Sequence, residues 1–212
     1  MTRIPPKTVG RLSLYRRLLD LMRQDGLRFV YSHQLAHDAA ATPAQVRRDL
    51  MVLGPMGTSN KGYDVEELIA AIDEVLDSPE GQRIALVGVG NLGRAILAFF
   101  AGRRPRLAIT AGFDNDPTKA ARVIMGCRIH NVADLAAVIA QEGITVGIVA
   151  VPAASAQAVA DKLVAAGVRG IMNFAPSPLK VPPTVHVEDM DITMTLEKVA
   201  YYAKHNKEKA VK

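Results

Sequence analysis

The sequence predicts an α/β protein in two parts, a small helical unit first and a doubly wound parallel sheet second. Three observations predict it. Through the first 80 residues, apolar side chains recur at three- and four-residue spacing. Beyond residue 80, short apolar runs alternate with helical segments. One of those runs leads directly into Gly88-Val89-Gly90-Asn91-Leu92-Gly93, a glycine spacing that belongs at a strand-to-helix turn.

In the first part, Val9, Leu12, Tyr15, Leu19 and Met22 place one apolar stripe on a helix over residues 8–25, and Gly26 stops it. Phe29-Val30-Tyr31 is a short strand-like run, and Ser32 caps a second helix carrying Leu35 and Ala36. A third helix begins at Thr42, whose hydroxyl can accept a backbone N–H bond, with Pro43 at the first helical position, where its missing donor costs nothing. Val46, Leu50 and Leu53 form its buried stripe, and Arg47 and Arg48 face outward beside Gln45. Two short helices around a tight Ala-rich turn make a helix-turn-helix, whose second helix points its first side chains at base edges. Arg can bond guanine O6 and N7, and Gln can bond adenine N6 and N7. Gln45, Arg47 and Arg48 are therefore candidate DNA-binding residues. Residues 54–63, rich in turn formers, are expected to form a hairpin wing, with Lys61 reaching phosphate and Thr58 and Ser59 grouped with it. A helical protein-binding module with exposed arginines is the other reading.

Charge placement agrees with the first reading. Residues 1–62 carry ten Lys or Arg against four acids, whereas residues 63–80 carry seven acids and no base. A positive field confined to one end suits a polyanion-binding unit attached to something else. A further helix over residues 65–77 has Leu68, Ile69, Ile72, Val75 and Leu76 on its apolar side, and Ser78-Pro79-Glu80-Gly81 ends it as a linker. The expected divisions are residues 1–80, 81–191 and 192–212.

In the second part, strands are expected at 84–87, 107–113, 146–151 and 170–174, with helices near 92–102, 133–142 and 154–166. That alternation is the signature of a parallel sheet covered on both faces, here of Rossmann type. Gly88 permits the tight turn, Gly90 lets backbone approach a pyrophosphate, and Gly93 allows close helix-strand packing. The N–H groups of Asn91 and Leu92 lie at the helix N-terminus, which favours phosphate. Asp114, 21 residues after Gly93, would accept ribose hydroxyl bonds at the end of the second strand, next to Asn115, and would repel a 2′-phosphate. NAD(H) is favoured on that ground. Val151 and Pro152, and Asn173, Phe174 and Ala175, lie at later strand ends and are expected to flank the nicotinamide. His130 and His186 are read as structural, and no general acid or base stands out. The dinucleotide is thus expected as ligand and effector, with no catalytic residue and no metal site.

These residues, taken in order, resemble the Rex family of bacterial redox-sensing repressors over nearly the whole chain. The matching segments are Gln45-Val46-Arg47-Arg48-Asp49-Leu50, the glycines of the wing, Gly88 to Gly93, Phe113-Asp114-Asn115-Asp116-Pro117, Asn173-Phe174-Ala175-Pro176 and Val187-Glu188-Asp189-Met190-Asp191. The resemblance implies a homodimer with a winged helix on each chain and a C-terminal helix, about residues 193–205, swapped into the partner. It implies a palindromic double-stranded DNA operator, bound in the presence of NAD⁺ and released by NADH. It also implies a switch in which Asp191 pairs with Arg17 in the DNA-bound form. Phe99 stands where the family commonly has a tyrosine bonded to that acid, and Ser59 and Asn60 replace a wing arginine and glycine. Two alternatives stay beside this reading: an NAD-dependent oxidoreductase, or a CoA-binding domain protein, with a small regulatory domain.

The remaining bulk properties exclude more than they assign. No run approaches ~18 apolar residues and the N-terminus lacks the apolar stretch of a signal peptide, so a cytoplasmic protein without a membrane partner is expected. The single cysteine, Cys127, excludes an intrachain disulfide framework.

Overall fold

The computed structural model describes residues 4–57, 61–104 and 106–209, with side chains to residue 205. The chain divides into two compact units, residues 1–79 and 80–212.

The first unit is built from α1 (Pro6–Gln24), β1 (Phe29–Val30), α2 (Ser32–Asp38), α3 (Pro43–Leu50), a 3-10 turn (Met51–Leu53), β2 (Tyr63–Asp64) and α4 (Val65–Leu76). Leu12, Tyr15 and Leu19 of α1 meet Val46 and Leu50 of α3 and Leu68 and Ile72 of α4 in one buried cluster. The N-termini follow the local chemistry. Thr42 Oγ1 accepts from Gln45 N at 3.1 Å, and Asp64 Oδ1 accepts from the backbone of Glu66 and Glu67. Arg16, 6% exposed, joins α1 to α4 through Asp73 at 2.8 Å and Asp77 at 3.1 Å.

The wing differs from the expected local hairpin. The strand pair is long-range, with Phe29 opposite Asp64 and Val30 opposite Tyr63. Among the described residues no strand lies between Leu53 and Tyr63, because Gly54 and Gly57 hold φ of 96° and 75° and Pro55 has no N–H to donate to a ladder. Thr58, Ser59 and Asn60 lie outside the described residues.

The second unit contains β3 (Gln82–Val87), α5 (Asn91–Phe100), β4 (Leu107–Asp114), β5 (Val123–Ile124), β6 (Cys127–Asn131), a 3-10 turn (Val132–Asp134), α6 (Leu135–Glu142), β7 (Val146–Val149), α7 (Ala153–Ala165), β8 (Gly170–Asn173), β9 (His186–Asp189) and α8 (Ile192–Lys209). Its seven-stranded sheet runs β5-β6-β4-β3-β7-β8-β9. All neighbours are parallel except β5 and β6. Successive residues of β3 serve opposite faces, as the two-residue pleat requires. Ala85 and Val87 pack with Leu135, Ile139, Ala160 and Leu163 under α6 and α7, and Ile84 and Leu86 pack with Ile96 and Leu97 under α5.

Two corrections follow for the sheet. The runs expected to 151 and 174 stop as strands at Val149 and Asn173, since Pro152 and Pro176 end the ladder soon after. Strands β5, β6 and β9 were not expected at all. They are edge elements with polar members such as Arg128, His130, His186 and Glu188, so neither continuous hydrophobicity nor clean alternation marks them. Replacing the fully buried Leu163 of α7 by Ala should lower the stability of the second unit by ~2–5 kcal/mol, read as a shifted urea midpoint; an unchanged midpoint would place α7 outside the core.

Candidate functional site

The strongest candidate site stands where β3 turns into α5. Gly88 has φ 98°, and a Cβ there would run into the carbonyl of Ala150; a Cβ on Gly93 would run into the carbonyl of Gly88. Both positions are thus closed to any side chain, one by backbone conformation and contact, the other by contact alone. Gly90 is the opposite case, with nothing within 4 Å of its Cβ position, so its backbone faces open space. It also occupies the N-cap of α5 without a side-chain cap bond, leaving the first N–H groups of a ten-residue helix free of any side-chain cap from that residue. This cradle fits a pyrophosphate, with the positive end of the helix behind it.

Three bonds fix the turn to the strand ends. Gly88 N donates to Phe113 O and Ala150 N donates to Val87 O, each at 2.8 Å. Val89 N donates to Asp114 Oδ2 at 2.9 Å. The Asp114 carboxylate, 6% exposed, also accepts from Asp116 N on Oδ1 at 2.9 Å and from Lys119 Nζ on Oδ2 at 3.0 Å. Burial alone would raise its pKa, but the bonds from Asp116, Lys119 and Val89 together hold it below the usual carboxylate range.

The sequence reading pictured Asp114 as an open acceptor facing a ribose. Each of its oxygens already accepts at least one bond, and its charge is offset by Lys119. Lys119 was missed. The signal for it was the turn chemistry of Asp114-Asn115-Asp116-Pro117, in which Asp116 accepts from Thr118 N and Oγ1 and folds the chain back toward β4.

A cavity of about 480 Å³ opens from this turn, lined by Gly88, Gly90, Asp114, Lys119, Val151 and Pro152 among others. Asn115 lines it too, together with Ser155 and Lys162 of α7, which sequence reasoning did not single out. Val151 and Pro152 therefore share one cavity with Asp114 and Asn115. Asn173, Phe174 and Ala175 do not line it. Asn173, 1% exposed, donates to Ser177 O at 2.9 Å and Asp189 Oδ1 at 2.7 Å and accepts from Ala175 N at 3.0 Å. Its amide joins β8 to β9 with every hydrogen used. Asn91 and Leu92 are exposed at the start of α5, and Gly93 is buried against the turn.

In the first unit, the candidate DNA readers are not equally free. Gln45 Nε2 donates to Asp49 Oδ1 at 2.9 Å, Arg47 Nη1 donates to Ser32 Oγ at 3.1 Å, and Arg48 and Lys61 are exposed. Asp49 is 2% exposed and accepts from Arg11 Nε at 2.6 Å, Arg11 Nη2 at 2.7 Å and Tyr15 Oη at 2.9 Å. Burial opposes its charge, yet these bonds hold its pKa low, and burial with the Asp49 bond pushes the Tyr15 phenol up to about 12. Of the proposed switch residues, Arg17 is exposed on α1. Phe99 is exposed on α5 with the Arg103 guanidinium 4.6 Å above its ring. Asp191 caps α8 by accepting from Met194 N on Oδ1 at 2.8 Å.

A two-unit chain that joins a helix-turn-helix to a glycine-turn nucleotide cradle defines a class, a regulator with a nucleotide-binding sensor. Comparisons with known proteins narrow it. Residues 3–50 match the model of a putative DNA-binding protein N-terminus, and residues 80–177 match that of a CoA binding domain. The redox-sensing transcriptional repressor Rex of Syntrophobacter fumaroxidans is 40% identical over 201 residues, covering 94% of this chain and 96% of that protein. Rex 2 of Enterococcus faecalis is 38% identical over 94% of this chain and 93% of its own. Among solved structures, RSP, a Rex-family repressor, in complex with β-NAD⁺ and operator DNA has a TM-score of 0.89 at 30% identity, covering 98% of this chain and 95% of that one. RSP in complex with β-NADH gives 0.86 at 29% identity, with complete coverage of both. The chain belongs to the Rex family of redox-sensing transcriptional repressors.

Lys119→Met should be less stable than wild type above about pH 4, where Asp114 is ionised both folded and unfolded. The folded-state pKa of Asp114 is depressed, so its contribution is present above the unfolded value and is lost as pH falls through the folded one. The stability gap in urea unfolding should therefore shrink on acidification; a gap constant from about pH 7 to about pH 2.5 would show that Lys119 acts through packing alone.

Proposed function

We propose that this protein is a homodimeric, cytoplasmic repressor that binds a palindromic operator and leaves it when NADH occupies the glycine-turn cradle. One observation carries the reading: an uncapped helix N-terminus and the open backbone of Gly90 face a cavity whose far wall holds Asp114. Gly88, Gly90, Asn91, Leu92 and Gly93 would hold the pyrophosphate, and Asp114 with Lys119 and Asn115 the adenosine ribose. Val151 and Pro152 would close the apolar side. Phe174 and Ala175 would act beyond the cavity, with Asn173 as their support. The dinucleotide supplies a redox signal and not a reactant.

Gln45, Arg47 and Arg48 would read bases, while Lys61, with Thr58 and Ser59 of the wing, would meet phosphate. No helix among the described residues is long and apolar enough to cross a membrane. Homodimer formation is supported by α8, on which Ile192, Leu196, Val199 and Tyr202 are all at least 60% exposed. Their spacing puts them along one side of the helix, an apolar stripe that a second copy would cover, in line with a swapped helix. Its cap Asp191 would exchange between helix capping and Arg17, and Phe99 would stack on Arg103 in place of a tyrosine hydroxyl contact.

The two nucleotide states must differ in affinity for two arrangements of the dimer, and the effect on DNA cannot exceed that difference. A coupling of ~1–3 kcal/mol corresponds to a ~5- to 150-fold change. In fluorescence anisotropy at fixed salt, with a duplex enriched from a random pool, NADH should weaken binding within that range and NAD⁺ should not. Release by CoA with no response to NADH would replace this reading with a CoA-binding regulator.

A further inference from the structure

The amide of Gln45 is not free to choose its orientation. Asp49, one helical turn further along α3, lies on the same face and carries a buried carboxylate that is anchored from outside the helix by Arg11 and Tyr15 of α1. Gln45 Nε2 donates to Asp49 Oδ1 at 2.9 Å. Flipping the amide would bring Oε1 against a carboxylate oxygen, two acceptors without a hydrogen between them, at a site shielded from water. Gln45 is also half-buried at the third position of α3, its backbone N–H held by Thr42, so the side chain starts from a fixed base.

A glutamine amide has one acceptor and two donor hydrogens. Unrestrained, it can present both hydrogens to the two acceptors of guanine, O6 and N7, or one hydrogen and its oxygen to adenine N7 and N6. With one hydrogen committed to Asp49, only the second pattern remains whole.

We propose that Asp49 is a positioning residue for DNA reading, which commits Gln45 to adenine and closes its guanine mode. This rests on the DNA-binding function proposed above. Asp49 itself reaches no base in this scheme. It acts through Gln45, and α1 takes part because Arg11 and Tyr15 hold the carboxylate in place.

The test is selection of duplexes from a randomised pool by the full-length wild type, Gln45→Ala and Asp49→Asn, followed by sequencing. The wild type should prefer adenine over guanine about 5- to 150-fold at one position of each half-site. Gln45→Ala should erase the preference there and nowhere else. Asp49→Asn, whose carboxamide accepts either amide orientation, should bring that one ratio toward parity and leave the other positions as they were. A merely structural Asp49 would instead lower retention of all sequences evenly, and that result would overturn the inference. If Asp49→Asn does not fold, judged by circular dichroism, the other two pools decide: guanine at the Gln45-dependent position overturns it, adenine supports it. A wild type that retains no duplex at low salt overturns the DNA-binding function and this inference with it, whereas retention with guanine overturns the inference alone.

Discussion

The second unit depends on one pinned turn. Between β3 and α5 the chain passes so close to Ala150 and to itself that Gly88 and Gly93 have no room for a Cβ. Such an approach persists only because the strand ends on both sides hold it, Phe113 from β4 and Ala150 from the end of β7, with Asp114 bonded to Val89 between them. The same bonds that make the turn possible therefore put a carboxylate, a helix N-terminus and an open glycine around one cavity. Nothing in that arrangement requires a ligand to organise it, which is the condition for binding without a large ordering cost.

The first unit solves a related problem with a single buried charge. Asp49 sits in the core face of α3, where an unpaired carboxylate would be costly, and Arg11, Tyr15 and Gln45 satisfy it together. A recognition helix tied in this way is fixed in rotation against α1, so the outward side chains of the same helix are fixed as well. Arg16 makes a second buried tie, from α1 to Asp73 and Asp77 of α4. Stability and the presentation of a reading surface thus rest on the same few hydrogen bonds.

Much of this was legible in the sequence because it depends on neighbours along the chain. The buried strands β3, β4 and β7 announce themselves as apolar runs, the cap of α3 as Thr42-Pro43, and the cradle as three glycines after a strand. What the sequence hid was long-range. Lys119 meets Asp114 only after the chain reverses at Pro117, and Asp49 meets Arg11 across 38 residues. Asn173 looked like a ligand contact because it ends a strand, yet its amide is consumed by Ser177, Asp189 and Ala175. The wing looked like a hairpin, but β2 pairs with a strand more than thirty residues upstream. The Rex resemblance reached the family without any of these contacts.

The proposed redox control joins the two units, and its thermodynamics constrain it from both sides. If NADH lowers the affinity for DNA, DNA must lower the affinity for NADH by the same factor. The most direct measurement is the NADH dissociation constant, from nicotinamide fluorescence, with and without a saturating duplex at fixed salt. Control of DNA binding by the dinucleotide predicts that the duplex weakens NADH binding by ~5- to 150-fold. Equal NADH affinity in the two titrations would contradict it, leaving a repressor and a nucleotide site that share a chain but not a switch.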